Sequence, residues 1–327
     1  MKRLLAAGMM ERLSFGPEHY QRGARMSDFA YLKGVYNITP TPFHPDGSLD
    51  LDSLARLTRF TIDAGVDGMT ILGVMGEASK VTDAERERII ATVIEAAEGR
   101  IPICVGTTHA ATDPCVTYCR QAQAMGARAV MVAPPRLMRS SDAALRRHYL
   151  AVAEAVDIPV VVQDHPPSSG VFMSVEFIAA LAEEAPHCRF LKLEDEPTPP
   201  KLTQVREANP QVEVFGGSGG MWYLEELRRG AIGIMTGFGV PEILVDIYHR
   251  WSGGDREGAT DVFYHACPLI RFENQPGLSL IIRKHIYALR GAIASAHTRA
   301  PSASLDPGSA ADLLDLLTRL KLLPDHR

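Results

Sequence analysis

The chain has 327 residues, is 46% hydrophobic and 22% charged, and carries a net charge of −5. That balance fits a soluble globular protein with a large core, built as one large domain or two medium ones. The mild acidity and the lack of a long basic run argue against a nucleic-acid partner, and no apolar run reaches the ~18 residues needed to cross a membrane.

Residues 1–28 read as a loosely ordered extension; Glu11 and Arg12 interrupt the early apolar stretch, which makes it a poor signal peptide. From Lys33 one pattern recurs: a short β-rich run ends in Gly, Pro or polar residues, and an amphipathic helix follows. The runs are "KGVYNITPTPF" (33–43), "GVDGMTILG" (65–73), "IPICVGTT" (101–108), "ARAVMVAPP" (127–135), "IPVVVQDHP" (158–166), "CRFLKLED" (188–195), "VEVFGGSGG" (212–220) and "GAIGIMTGF" (230–238). They are apolar throughout rather than alternating, as parallel strands covered on both faces are. Between them, "DLDSLARLTRFTIDAG" opens at an Asp cap and closes at a Gly, and "TDAERERIIATVIEAAEG" has an acidic first turn that suits the helix dipole. "SDAALRRHYLAVAEAV" is a third helix of this kind. Beyond about residue 254 the strands stop, and "GATDVFYHACPLIRFE", "LSLIIRKHIYALRGAIAS" and "SAADLLDLLTRLKLL" read as helices with apolar faces.

Eight strand–helix units predict a (β/α)8 TIM barrel over 29–254, followed by a C-terminal helical segment over 255–327. A doubly wound open sheet is the alternative, disfavoured because no GxGxxG turn follows the first strand. The five cysteines, Cys104, Cys115, Cys119, Cys188 and Cys267, are odd in number and scattered, which predicts no disulfide framework and a reducing, cytoplasmic setting. No set of residues has metal-ligand spacing, so neither metal nor cofactor is expected.

Barrel enzymes place their chemistry at the C-terminal ends of the strands. Those ends offer Thr39, Thr41, Glu77, Thr107, Thr108, His109, Arg136, Arg139, Gln163, Asp164, His165, Lys192, Glu194, the loop "GGSGG" and Thr236. Lys192 stands out, because Phe190, Leu191 and Leu193 around it should desolvate its amine. Desolvation favours a neutral amine, the nucleophile a Schiff base needs. Residues two apart in a strand face the same way, so a structural Lys192–Glu194 ion pair is an equal alternative. "GGSGG" reads as either an anion cradle or a tight turn. His165 shares a side of its strand with Gln163 and is a candidate acid/base. His109 makes a weaker case, and His187 falls at the opposite end of the barrel.

Taken in order, "ITPTPF" (38–43), "LGVMGEASKVTDAER" (72–86), "VGTTHAATD" (105–113), "DIPVVVQDHPPSSGV" (157–171), "FLKLE" (190–194), "FGGSGG" (215–220), "GAIGIMTG" (230–237) and "RAPSASL" (299–305) resemble the dihydrodipicolinate synthase / N-acetylneuraminate lyase family. The resemblance covers about residues 33–325. It implies a (β/α)8 barrel, commonly tetrameric, in which a strand-6 lysine forms an imine with pyruvate or another 2-keto acid; that lysine corresponds to Lys192. It also implies carboxylate binding at Val74, Met75 and Gly76, with Ser218 and the strand-8 carbonyls near Met235 cradling the acid.

The family's GTTGE or GSTGE is here Gly73-Val74-Met75-Gly76-Glu77, without hydroxyls, and Gln163 stands where the family has its acid/base tyrosine. An amide cannot relay a proton at neutral pH. The tyrosine expected after strand 4 is replaced around Pro135-Arg136, and Ser168 stands where dihydrodipicolinate synthases carry an arginine. The expected activity is therefore a Schiff-base lyase or aldolase outside lysine biosynthesis, with Lys192, Gln163 and His165 at its centre. It would act as a dimer or tetramer on a small 2-keto acid. The alternative is a keto-acid-binding barrel without turnover. A third reading is a barrel enzyme for phosphorylated sugars that uses "GGSGG" and forms no imine.

Overall fold

The structure is a computed structural model that describes residues 29–136 and 141–323. Arg139 and the extension over 1–28 lie outside the described residues.

The first half runs β1 (Gly34–Ile38), α1 (Leu51–Asp63), β2 (Gly68–Ile71), α2 (Asp83–Ala97), β3 (Ile103–Gly106), α3 (Thr112–Ala124), β4 (Ala129–Val132) and α4 (Asp142–Ala155). The second runs β5 (Val160–Asp164), a single turn α5 (Pro166–Ser169), α6 (Val175–Glu184), β6 (Phe190–Leu193), α7 (Thr198–Ala208), β7 (Glu213–Gly216), α8 (Tyr223–Arg228), β8 (Gly233–Thr236) and α9 (Pro241–Ser252). Helices α10 (Arg256–Glu273), α11 (Ser279–Leu289) and α12 (Pro307–Arg319) complete it.

All eight strands pair in parallel, each with its chain neighbour, and β1 closes on β8. This is the predicted (β/α)8 barrel with helices after it. Local chemistry starts the helices where the sequence placed them. The Asp50 side chain accepts from the Ser53 amide at α1, and Thr82 and Glu85 form a reciprocal capping box at α2.

Alternation within the strands sorts the core into layers. Tyr36, Cys104, Met131, Val161, Phe190, Phe215 and Met235 fill the barrel interior, with Phe29 and Leu32 packed against them. Their neighbours in sequence, such as Val105, Val130, Val162 and Leu191, face the surrounding helices instead. A further cluster joins α8 and α9 to the last three helices through Leu224, Leu244, Ile247, Phe263, Leu269, Ile282 and Leu317. The filled interior is a floor, and the register sets Lys192 upon it, paired with Gln163 on β5 and Phe215 on β7.

Candidate active site

A cavity of about 570 Å³ opens at the C-terminal ends of the strands. Lys192, Gln163, His165, Val74, Met75 and Ser218 all line it, together with Glu194 and Thr236. Two of the residues expected there do not: Met235 is fully buried in the barrel interior, and the Gly76 amide donates to Gly73 O at 3.0 Å. The Met75 amide, in contrast, donates to no group among the described residues.

Lys192 is 2% exposed, and its Nζ lies 2.6 Å from Glu194 Oε2. The same oxygen accepts from Gln163 Nε2 at 2.9 Å, and Glu194 Oε1 accepts from the Ser218 amide at 3.2 Å. The Lys192–Glu194 ion pair, one of the two alternatives the sequence offered, is formed, and it lies at the cavity, where the lysine is buried with a carboxylate in hydrogen-bond contact. Burial pushes the Glu194 carboxyl up, but the Lys192 ammonium, His165 and the hydrogen bonds from Lys192 and Gln163 outweigh it. The net shift is downward, so Glu194 is an anion at neutral pH.

The glycine loop after β7 exists to make this contact. A β-carbon on Gly217 would sit 2.4 Å from Glu194 Cγ, so only glycine lets the carboxylate in. Gly219 has φ of +64°, and a β-carbon there would meet Asn274 Oδ1 at 1.8 Å. Three of the loop's amides are committed: Ser218 to Glu194, Gly219 to Thr236 Oγ1 at 2.9 Å, and Gly220 to Gly217 O at 2.9 Å. Of these, the Ser218 amide alone serves an anion, and that anion is Glu194.

His165 Nδ1 lies 2.7 Å from Ser168 Oγ. Burial lowers its imidazole below the ordinary value; Glu194 raises it and Lys192 lowers it, and the net is downward. It is a neutral imidazole at the cavity wall. Gln163 aims its amide nitrogen at Glu194, so it orients the carboxylate rather than relaying protons.

The other strand-end residues take different places. Thr41 donates to Gly76 O at 2.6 Å, and Thr107 lies 3.1 Å from Cys119 Sγ. Asp164 is held by Lys201 at 2.6 Å, behind the barrel wall. Glu77 binds Lys284 at 2.9 Å and Lys80 at 3.1 Å, tying the strand-2 loop to α11. His187 packs edge-on against Phe29, at the barrel's other end. Thr108, His109, Arg136 and Ser168 line a neighbouring cavity of about 480 Å³ that shares Val74 and Gln163 with the first. Among the described residues no cluster of His, Cys, Asp or Glu fits a metal ion.

The sequence did not single out the cavity's fourth side, where the residue capping α10 and helix α11 contribute Asn274, Ser279 and Arg283. The signal was present: Arg283 and Lys284 interrupt the apolar face of "SLIIRKHIYAL", and both are nearly inaccessible. Two buried cations on an apolar face require partners.

The chain matches the dihydrodipicolinate synthetase family over residues 31–320. It is 34% identical over 293 residues to the L-2-keto-3-deoxyarabonate dehydratase of Azospirillum brasilense, covering 88% of this chain and 94% of that protein. Among solved structures, the dihydrodipicolinate synthase of Rhodopseudomonas palustris superposes with a TM-score of 0.83 at 34% identity, over 88% of this chain and 98% of that one. YagE, a prophage protein of the dihydrodipicolinic acid synthase family from E. coli K12 in complex with pyruvate, superposes with a TM-score of 0.82 at 26% identity, over 89% of this chain and 99% of that one. With a closed eight-stranded barrel, a lysine on its sixth strand and a match that spans nearly every described residue, the chain belongs to the dihydrodipicolinate synthetase family.

Proposed function

We propose that this lyase of the dihydrodipicolinate synthetase family uses Lys192 as the imine-forming nucleophile toward a small 2-keto acid, and that its reaction lies outside lysine biosynthesis. The observation that carries the reading is the Lys192 amine at the cavity floor, 2.6 Å from the Glu194 carboxylate. The dehydratase named among the relatives favours a 2-keto-3-deoxy sugar acid as substrate and loss of water as the reaction.

Lys192 passes a proton to Glu194 and its Nζ adds to the 2-keto carbon; the former carbonyl oxygen takes that proton back and leaves as water, giving an iminium. The iminium acidifies the neighbouring C3, whose proton passes to Glu194 as the enamine forms. The enamine then expels the C4 hydroxyl, which takes that proton back from Glu194 and departs as water, leaving a conjugated iminium. Hydrolysis of the imine releases the product and regenerates the amine. Glu194 supplies the base that the family's tyrosine would otherwise serve, with neutral His165 as a second proton carrier at the cavity wall. The same geometry supports carbon–carbon cleavage or formation through the common enamine. The protein acts as a homo-oligomer in this reading, a dimer or tetramer. Its free cysteines, four of them buried, fit a reducing compartment such as the cytoplasm.

The test is to incubate the protein with pyruvate and with 2-keto-3-deoxy sugar acids, reduce with borohydride, and map the adduct by peptide mass. The expected adduct is on Lys192 and absent in Lys192→Met. Reversible binding with no adduct from any of these acids would replace this reading with a ligand-binding barrel.

A further inference from the structure

The carboxylate of a 2-keto acid needs a receiver, and the hydroxyls that would frame one on the strand-2 loop are replaced by Val74 and Met75. Lys192 is consumed in the imine, and Glu194, Asp195 and Glu196 give the lining an acidic excess. Lys201 is no substitute, because Asp164, Asp195 and Met173 O hold its ammonium. Among the described residues lining the cavity, the remaining permanent cation is Arg283, on α11 of the C-terminal segment.

Arg283 is 4% exposed, and two of its three nitrogens are occupied. Nε donates to Glu273 Oε2 at 3.0 Å and Nη2 to Asn274 Oδ1 at 3.1 Å. Asn274 is in turn anchored to Gly219 O and Ile270 O, and Glu273 accepts from the Gly239 amide, so the guanidinium is fixed from both sides. Nη1 has no hydrogen-bond partner among the described residues. It lies over Gly237, which lines the same cavity; a β-carbon there would sit 3.1 Å from it. With Nε and Nη2 held by Glu273 and Asn274, Nη1 is the donor left over, next to a cavity position without a side chain.

Resting on the keto-acid reading above, we propose that Arg283 receives the substrate carboxylate, with Nη1 and the uncommitted Met75 amide as its donors. The acid's C1 end is then oriented by the C-terminal helical segment, not by the barrel alone. A guanidinium pre-set by a carboxylate and an amide loses little freedom on binding, which suits a recognition role.

The test compares pyruvate with pyruvamide, its uncharged near-isostere, by titration calorimetry. Wild type should prefer the acid by roughly 10- to 100-fold, the value of a hydrogen bond to a charged group. Arg283→Met combined with Glu273→Gln removes both charges without leaving one unpaired, and should abolish that preference. Gly237→Ala keeps both charges and places a methyl against Nη1; it should weaken pyruvate more than pyruvamide. If the double variant keeps the wild-type preference, or Gly237→Ala weakens both ligands equally, the proposal is overturned. Borohydride trapping run on the same wild-type protein reads the imine separately: no adduct overturns the Schiff-base reading, whereas an unchanged acid preference overturns only the role of Arg283.

Discussion

At the scale of single residues the site turns on Glu194, which accepts from Lys192, Gln163 and the Ser218 amide at once. Three donors converging on one carboxylate fix its position and keep it ionised, which the role of base proposed for it requires. Glu194→Gln preserves the side chain's shape but removes the proton acceptor. The imine should still be trapped by borohydride, while turnover falls by about 10²- to 10⁴-fold, the usual worth of a general base. Rapid-quench detection of the adduct alongside steady-state rates separates the two steps; a variant with full turnover would remove Glu194 from the chemistry. Its pH behaviour follows from the downward shift. A carboxyl whose folded value lies below its unfolded value contributes stability that is present above the ordinary 4.5 and is lost as pH falls through the folded value. The wild type should therefore lose this contribution only in acid, and the Gln variant should lack that part of the acid limb in melts compared across pH.

The elements around the site are held by charge as much as by apolar packing, and here the sequence was only partly readable. Strand positions were legible because parallel strands covered on both faces leave unbroken apolar runs, and Lys192, Glu194 and Gln163 followed from alternation on adjacent strands. Lys80 lies three residues from Glu77, but the other partner of Glu77, Lys284, was not legible, because it comes from α11, far along the chain, and no local period encodes that meeting. Lys284 Nζ donates to Glu77 Oε2 at 2.9 Å and to His297 O at 2.7 Å, and is fully inaccessible. Burial pushes its ammonium down to about 8, against the pull of Glu77. Glu77→Gln would leave that cation uncompensated and should cost about 3–5 kcal/mol at neutral pH. The sign with pH is definite. Between about 8 and 10.5 the folded lysine sheds its proton before the unfolded one does, so the unfolded chain binds more protons and this group's term rises with pH. Without Glu77 the folded lysine is pushed lower still, so the variant sheds its proton at lower pH than the wild type and its deficit should shrink at about pH 9.5 compared with neutral pH. Urea unfolding at the two pH values checks it, and a deficit that is constant or growing would contradict the pairing.

For the whole molecule, the C-terminal helices complete the cavity wall and cover apolar surface of the barrel. The barrel was legible as a repeat of strand and helix, and the helices after it as an appendage; that they form the cavity's fourth side was not, since a wall made by helices packed across strand ends depends on tertiary packing alone. Tyr287 on α11 donates to Phe238 O at 2.8 Å and Glu273 on α10 accepts from the Gly239 amide at 3.0 Å, so both helices are bonded to the segment that leaves β8. Beneath those bonds Leu244, Ile247, Phe263, Leu269 and Ile282 form one apolar cluster, of which the first two belong to α9 and the rest to the C-terminal segment. Each large apolar side chain in such a cluster contributes about 1.5–3 kcal/mol through burial. Losing the three contributed by α10 and α11, and uncovering the two on α9, removes on the order of 10 kcal/mol, as much as the whole margin of a typical domain. A chain ending at Gly254 should therefore fail to give a folded barrel, eluting as aggregate on size exclusion and binding a hydrophobic dye. A monodisperse, cooperatively melting product would show that the barrel stands alone. In that case the truncated barrel would also lack Arg283 and Asn274, and should trap pyruvate on Lys192 without favouring it over pyruvamide.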